Sequence, residues 1–532
     1  MKHRVTFLLT ICLVAAASYV FSQTATPTAT QPNNYDDADA GTDTNPYQIA
    51  TWQNLYWLSQ NDDYWDAHFI QTADIDFGAA SPAIEDWDEG KGWTPIGFFC
   101  PSPETNNTPF TGEYDGGGHA ITGLFADRSE DGDDPFDPPD DDHPEDPEIC
   151  PTTSVGLFGS LDGAVIHDLN LIDVDMSGFI GVGALAVETI SSTIENVSAS
   201  GAVSGAEVVG GLIGVAVNSD IADVSSSVNV STALFSGGLL GFAFDSTILR
   251  SFATGSVIAD GDFFSEGPGP IGGMLAASGM ADRRYSRSFG SSTSDYRFSG
   301  IAIGGFIGDA ISTVIEQSYS TGDVQGGDET GGFASYISGN TIIRESFSTS
   351  SVYGDRDVGG FVGYMFSGEI HDSYHRGDVE GEDNVGGFTG TGVSGTITNS
   401  YSTGAVTGST EVNGFLGFYE ERRENELLIE HSFWDINTSG IVEAGVDNFG
   451  ATGKTTEDMQ DPALFAEIWD TTTDDSIPPG YPMLTWELNT NSPPWTFGTG
   501  DPPAIPLSGW SIWITLLLMS IFSVSIALRK LL

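Results

Sequence analysis

In the middle of the chain, apolar residues recur with a long period rather than with the short periods of a helix or a single strand. Serine followed by an aromatic gives one column: Ser251-Phe252, Ser288-Phe289, Ser318-Tyr319, Ser346-Phe347, Ser373-Tyr374, Ser400-Tyr401 and Ser432-Phe433. An isoleucine column lies three or four residues before most of these serines and extends upstream: Ile194, Ile221, Ile248, Ile315, Ile343, Ile370, Ile397 and Ile429. Val257, Val324, Val352, Val379 and Val406 stand six residues after their serines. Gly-Gly pairs open at Gly210, Gly237, Gly272, Gly304, Gly331, Gly359 and Gly386, with Asn413-Gly414 as a variant, and the last intervals are 27, 28, 27 and 27 residues. The residue after each pair is apolar: Leu212, Leu239, Met274, Phe306, Phe333, Phe361, Phe388 and Phe415.

Self-similarity at a fixed period is the mark of a solenoid, in which no unit buries its own apolar residues and stacking makes them into continuous ladders. Helical repeats are disfavoured, because β-branched and aromatic residues dominate and glycines fall every few residues. A β-propeller is the weaker alternative, since its blades use antiparallel strands and repeats near 40 residues or more. The pattern therefore predicts an all-β, right-handed parallel β-helix of ~27-residue repeats, with N-terminal and C-terminal cap modules. About ten coils at ~4.8 Å each make a rod of roughly 50 Å. The Gly-Gly corner is expected either to take backbone angles closed to other residues or to let neighbouring coils approach.

The flanks divide the chain further. Residues 1–22 read as a secretory signal peptide, with Lys2 and Arg4 before an apolar stretch. Residues 23–46 read as a linker, and 47–150 as an N-terminal cap module in which Ile49, Trp52 and Leu55 predict a short amphipathic helix. Residues 127–148 form an acidic, Pro-rich loop, and Cys100 and Cys150 bracket it as a candidate disulfide at its base. Residues 151–440 carry the repeats, 441–490 a C-terminal cap and 491–503 a second linker. The uncharged run 510–528 within 504–532 is long enough to span a membrane and is followed by Arg529 and Lys530. Where the period breaks, loops are expected: "ADGDFFSEGPGP", "DRRYSR" (282–287) and "YEERRENEL".

Charge narrows the partners. With 75 acidic and 17 basic residues the formal net charge is −58, which repels nucleic acid and anionic lipid and suits a salty medium. No His-Glu-x-x-His, Gly-x-Ser-x-Gly or phosphate-loop motif occurs. The carboxylates that could serve catalysis are Asp74 with Asp76, Asp115 with His119, and Asp372 with His371 and His375; all read more simply as structural or solvated groups. "DDADAGTD" (36–43) spaces acidic oxygens as a calcium loop does but lacks the complete ligand pattern, and "DGDDPFDPPDDD" offers only diffuse cation binding. The reading is thus no catalytic residue, no cofactor and no defined metal site, with Ca²⁺ the one ion to consider.

"GLIG" (211–214), "GLLG" (238–241), "GFIG" (305–308), "GFVG" (360–363), "GFTG" (387–390) and "GFLG" (414–417) resemble the GLUG repeats of bacterial surface proteins. "NPYQIATWQNLYWLSQ", "TADIDF", "GWTPIG" and "FTGEYDGGGHAITGL" look like the module that precedes such repeats. "SFWDINTSG", "GKTTEDMQDPALF" and "YPMLTW" look like the one that follows them. "GMLA" (273–276) and "GFAS" (332–335) depart by losing the last glycine. The tail "IPLSGWSIWITLLLMSIFSVSIALRKLL" resembles the IPTL-type C-terminal sorting signals of Gram-negative bacteria. The resemblance implies an exported, adhesin-like β-helical protein at the outer membrane or cell surface, or one secreted after C-terminal processing. Its partners would be glycans, other surface proteins, the sorting machinery and, through 510–528, the membrane. The competing expectation is a carbohydrate-active enzyme, a polysaccharide lyase or glycosidase, on the same scaffold.

Overall fold

The computed structural model describes residues 27–97, 108–129, 153–232, 234–259, 302–422, 426–442, 449–465, 469, 471–474, 480–488 and 495–498. Residues 1–22, read above as a signal peptide, both cysteines of the proposed bridge, nearly all of the acidic loop and the apolar tail lie outside these residues.

The chain is a parallel β-helix. Three sheets run its length: one of 28 strands, one of nine and one of eight. One coil illustrates the rest. Arg356–Gly359 joins the eight-stranded sheet, Val362–Met365 the nine-stranded sheet, and Glu369–His371, Tyr374–His375 and Val379–Glu380 the long sheet. Each pairs in parallel with its counterpart one coil away.

The ladders follow the sequence columns. Ile194 faces Ile221, then Ile248, Ile315, Ile343, Ile370, Ile397 and Ile429. Phe306, Phe333, Phe361, Phe388 and Phe415 stack inside the coil with ring centroids 4.7, 4.7, 4.9 and 4.8 Å apart. That spacing is the strand-to-strand distance, so each ring lies on the next with no gap.

Two columns are corrected. Gly237 pairs directly with Gly304, and Phe252 with Tyr319. Gly272, Met274 and Ser288-Phe289 lie outside the described residues; the step from Ser251 to its partner Ser318 spans 67 residues. The Gly-Gly corner also has a narrower cause than either conformational freedom or close approach left open. Gly359 lacks a left-handed φ, but a Cβ there would meet Val362 O at 1.9 Å and Gly390 N, one coil on, at 2.6 Å. Close approach decides it. Left-handed angles fall instead on polar residues at the corners, such as Asp223, Arg250, Gln317, Glu345, Asp372, Asn399 and His431 (φ 47–55°).

A serine follows each of the last six of these corners, and its role is a hydrogen-bond row. The N–H of Ser346 donates to Ser373 Oγ, and that of Ser373 to Ser400 Oγ, both at 3.3 Å. Each hydroxyl in turn donates to the carbonyl two residues before it, as Ser373 does to His371 O at 2.8 Å. A second row, Ser192–Ser219–Ser246, runs at another corner. Ser373→Ala removes the acceptor of the buried Ser346 N–H, so the expected loss is about 1–3 kcal/mol, read as a lower denaturation midpoint with faster amide exchange at Ser346.

The ends differ from the linker-and-cap expectation. Tyr47–Ile49 is a strand, so Ile49 is not on the helix, which spans Trp52–Ser59 and is capped by Thr51 Oγ accepting from Asn54 N. Residues 27–46 are packed: Asn54 Nδ2 donates to Thr30 O and Gln31 O, and Tyr35 stacks on Tyr47. At the other end, residues 459–465, 469 and 481–487 lie along the side of the rod. Tyr319, Phe347, Tyr374, Tyr401 and Phe433, the serine-aromatic column, point outward and are covered by Met459, Phe465, Trp469, Tyr481, Leu484 and Trp486. Trp486 Nε1 donates to Glu345 O, 141 residues away in sequence.

Candidate functional site

Among the described residues, titratable groups gather in three places. The first is the N-terminal end of the long sheet, where parallel stacking puts Glu113 beside His68 and His167. His167 Nδ1 lies 2.9 Å from Asp168 Oδ2 and 3.6 Å from Asp115 Oδ1, and Nε2 lies 3.3 Å from Glu113 Oε1. His68 Nδ1 lies 3.1 Å from the other Glu113 oxygen. Burial pulls the His167 pKa down, but hydrogen bonds to Asp168 and Glu113 outweigh it and the pKa is raised. An imidazolium donating from both nitrogens satisfies this arrangement. Among the described residues, Asp115, His167 and Asp168 are the set whose ligating atoms fall within 4.8 Å of one another. A metal bound there would have to displace the proton that joins them. A shallow cleft beside them is lined by His167, Asp168, Glu195, Asn196 and Asp223. Its polar groups pair along the rod: Asn196 donates to Asp168, and Arg250 to Asp223.

The second place is the outer side of the eight- and nine-stranded sheets. Glu329 and Asp357 occupy left-handed positions one coil apart, and Asp309, Tyr336 and Tyr364 follow one another on the neighbouring sheet. Burial pushes Glu329 up to about 7, with the Asp357 charge adding to it. Burial also raises Asp357, although Thr391 and Asn384 donate to it, and raises Asp309. A carboxyl raised by burial is a candidate for acid–base work, the role a glycosidase gives one of its two carboxyls. No sequence motif marks them, because they stand 20 and 28 residues apart and meet only through stacking.

The third place is under the C-terminal segment. Arg376 lies over the Tyr374 ring at 4.5 Å and donates to Tyr401 OH and Pro482 O. Glu487 accepts from Tyr374 OH and from Leu484 N, and burial pushes it up to about 7.

The residues singled out from sequence fall elsewhere. His119 meets Asp74, at 3.1 Å, rather than Asp115, whose Oδ1 instead accepts the Gly117 N–H in a turn. Asp76 caps a short 3₁₀ turn through Gly78 N. Asp372 accepts from Asn399, and His371 meets Thr398 and Glu369. His375 is not on a solvated face. It occupies the fully buried column of Ser320, Ser348 and Ser402, and burial lowers its pKa to about 4. In the 36–43 stretch Asp39 Oδ1 accepts from Asn45, and its carboxylates do not converge on one point.

No protein-family model matches the chain. Halomucin of Haloquadratum walsbyi is 32% identical over 167 residues, 31% of this chain; the chain spans about 2% of that protein's length. Among solved structures, an immunoglobulin A1 protease from Bacteroides ovatus aligns at 14% identity over 80% of this chain and 89% of that one, with a TM-score of 0.29. A second IgA1 protease aligns at 15% identity over 72% of this chain and 21% of that one, with a TM-score of 0.34. The fold assignment rests on the strand pairing. Among the described residues no helix is long and apolar enough to cross a membrane.

Proposed function

We propose that the protein is an exported cell-surface rod that is structural and adhesive, binding glycans or partner cells, and that it does no catalysis. One observation carries this reading. The polar corner residues pair with one another along the axis, Asp168 with Asn196, Asp223 with Arg250, Gln317 with Glu345 and Asp372 with Asn399, instead of converging on a reacting centre. The GLUG-like corners, the signal-like start, the sorting-signal-like tail and the likeness to halomucin support the same reading. The row Asp309, Glu329 and Asp357 favours the second reading, a carbohydrate-active enzyme.

The mature chain is expected to retain glycans on an array while leaving a panel of polysaccharides at full length. Depolymerisation that disappears in Glu329→Gln or Asp357→Asn would replace adhesion with catalysis. Mass spectrometry of the native C-terminus tests the sorting of the tail.

A further inference from the structure

The surroundings of His167 Nδ1 are set by strand register. Glu113–Asp115 pairs in parallel with Val165–Ser177, which puts Asp115 directly opposite His167, and Glu195 lies opposite His167 on the other side. Asp168, next in sequence, would point to the other face of a flat strand. It takes a left-handed φ of 53° instead, and its Oδ2 meets Nδ1 at 2.9 Å. Asp115 Oδ1 lies 3.6 Å from the same nitrogen, and all three atoms fall within 4.8 Å of one another. Ligand atoms about 2.1 Å from a tetrahedral zinc ion stand roughly 3.4 Å apart, so small side-chain rotations bring the three onto one ion.

Carboxylates gather at many places on a chain with a net charge of −58. Two features set this place apart. Its central donor is an imidazole nitrogen, which favours zinc-like ions over Ca²⁺ and Mg²⁺. Each donor is also held from behind. His167 Nε2 lies 3.3 Å from Glu113 Oε1, and the other Glu113 oxygen lies 3.1 Å from His68 Nδ1. Asp168 Oδ1 accepts from Asn196, and Asp115 Oδ1 accepts the Gly117 N–H at 2.7 Å. A carboxylate on the far nitrogen is the usual support of a metal-bound histidine, since it fixes the tautomer and makes the near nitrogen more basic.

We propose that His167 Nδ1, Asp168 Oδ2 and Asp115 Oδ1 bind one divalent transition-metal ion of the zinc class, with Glu113 as a positioning residue behind His167. The remaining coordination opens on the cleft lined by Glu195, Asn196 and Asp223, where water or a donor from a partner completes the shell. The sequence reading found no defined metal site because Asp115 and His167 meet only through strand pairing. The site does not depend on the adhesive reading.

Zn²⁺ is the probe. The intact protein, purified without a histidine tag and stripped with a chelator, is titrated at mildly alkaline pH in about 1 M NaCl with excess Ca²⁺, which screens and fills diffuse acidic sites. Saturable uptake of a single equivalent is expected, with a denaturation midpoint that rises with free Zn²⁺. His167→Gln should remove both. Glu113→Gln should weaken binding about 10- to 100-fold and leave the stoichiometry unchanged. Asp220→Asn, an exposed carboxylate on the same sheet, should change nothing. If His167→Gln loses its β-sheet circular dichroism signal, Asp168→Asn keeps the imidazole and should still weaken binding at least about tenfold. Uptake that does not saturate, or that appears only when Ca²⁺ is left out, overturns the proposal. So does a single equivalent bound as tightly by a folded His167→Gln or Asp168→Asn protein, and wild-type affinity in Glu113→Gln removes Glu113 from the site.

Discussion

Replacing Phe361 with alanine is expected to destabilise the rod by about 3–5 kcal/mol, among the larger effects of a single core truncation. Phe361 is fully buried and stacks 4.7 Å from Phe333 and 4.9 Å from Phe388. The backbone cannot close the gap, because Gly359, Gly360 and Gly387 already touch across the coils. In a solenoid each unit contacts only its neighbours, so the damage stays local. Hydrogen exchange should accelerate across the three coils around Phe361 before the rest of the rod responds. Phe361→Leu should cost less, since Leu212 and Leu239 occupy the same column. A shift in the urea midpoint equivalent to less than about 1 kcal/mol for the alanine variant would show that the ring column does not hold the coils.

The second large effect is a stability that rises as the pH falls from 8 to 5. Glu188, Glu329 and Glu487 are each pushed up to about 7, in every case chiefly by burial. Below an ordinary glutamate value of 4.5 both folded and unfolded chains hold these protons, and the full contribution is present. Between 4.5 and about 7 the unfolded chain releases them first, so stability is lost as the pH rises through that window. His167, also raised, adds in the same direction at its upper end. Asp74, Asp168 and Asp223 are lowered, so their contribution is lost only as the solution becomes strongly acidic. At about 1.4 kcal/mol per pKa unit, these three glutamates, Glu188 buried and the other two partly so, supply on the order of 1–3 kcal/mol each. Thermal midpoints at pH 5 and 8 give the test, repeated in 1 M salt. If the gain at pH 5 vanishes in salt, it came from relief of the −58 surface charge and not from the buried carboxyls.

The ladders were legible because stacking makes residues about 27 apart into neighbours, so a column in sequence becomes a row in space. The isoleucine column and the Gly-Gly column, up to Gly386 opposite Asn413, pair as their spacing implies. The spacing puts Gly272 between Gly237 and Gly304, and Ser288-Phe289 between Phe252 and Tyr319, whereas those pairs are direct neighbours, because a period counts motifs and cannot see which backbone pairs with which. His375 misled for a related reason. It follows the outward Tyr374 and so points inward, at a place where the coils on either side have serine. The acidic row Asp309, Glu329 and Asp357 had no signature, since two sheets and three coils contribute to it. The serine was visible as an anchor, but its hydrogen bond to the preceding coil was not.

That serine row runs in one sense, with the N–H of each coil reaching the hydroxyl of the next from Ser251 to Ser432. A duplicated repeat therefore brings its own hydroxyl for the coil before it and its own N–H for the coil after it. Any step of the ladder can be copied in frame without leaving a bond unmade, whereas a copy of part of a repeat breaks two. Inherited differences in the length of such rods should come in whole repeats, as on a ruler marked every 27 or 28 residues.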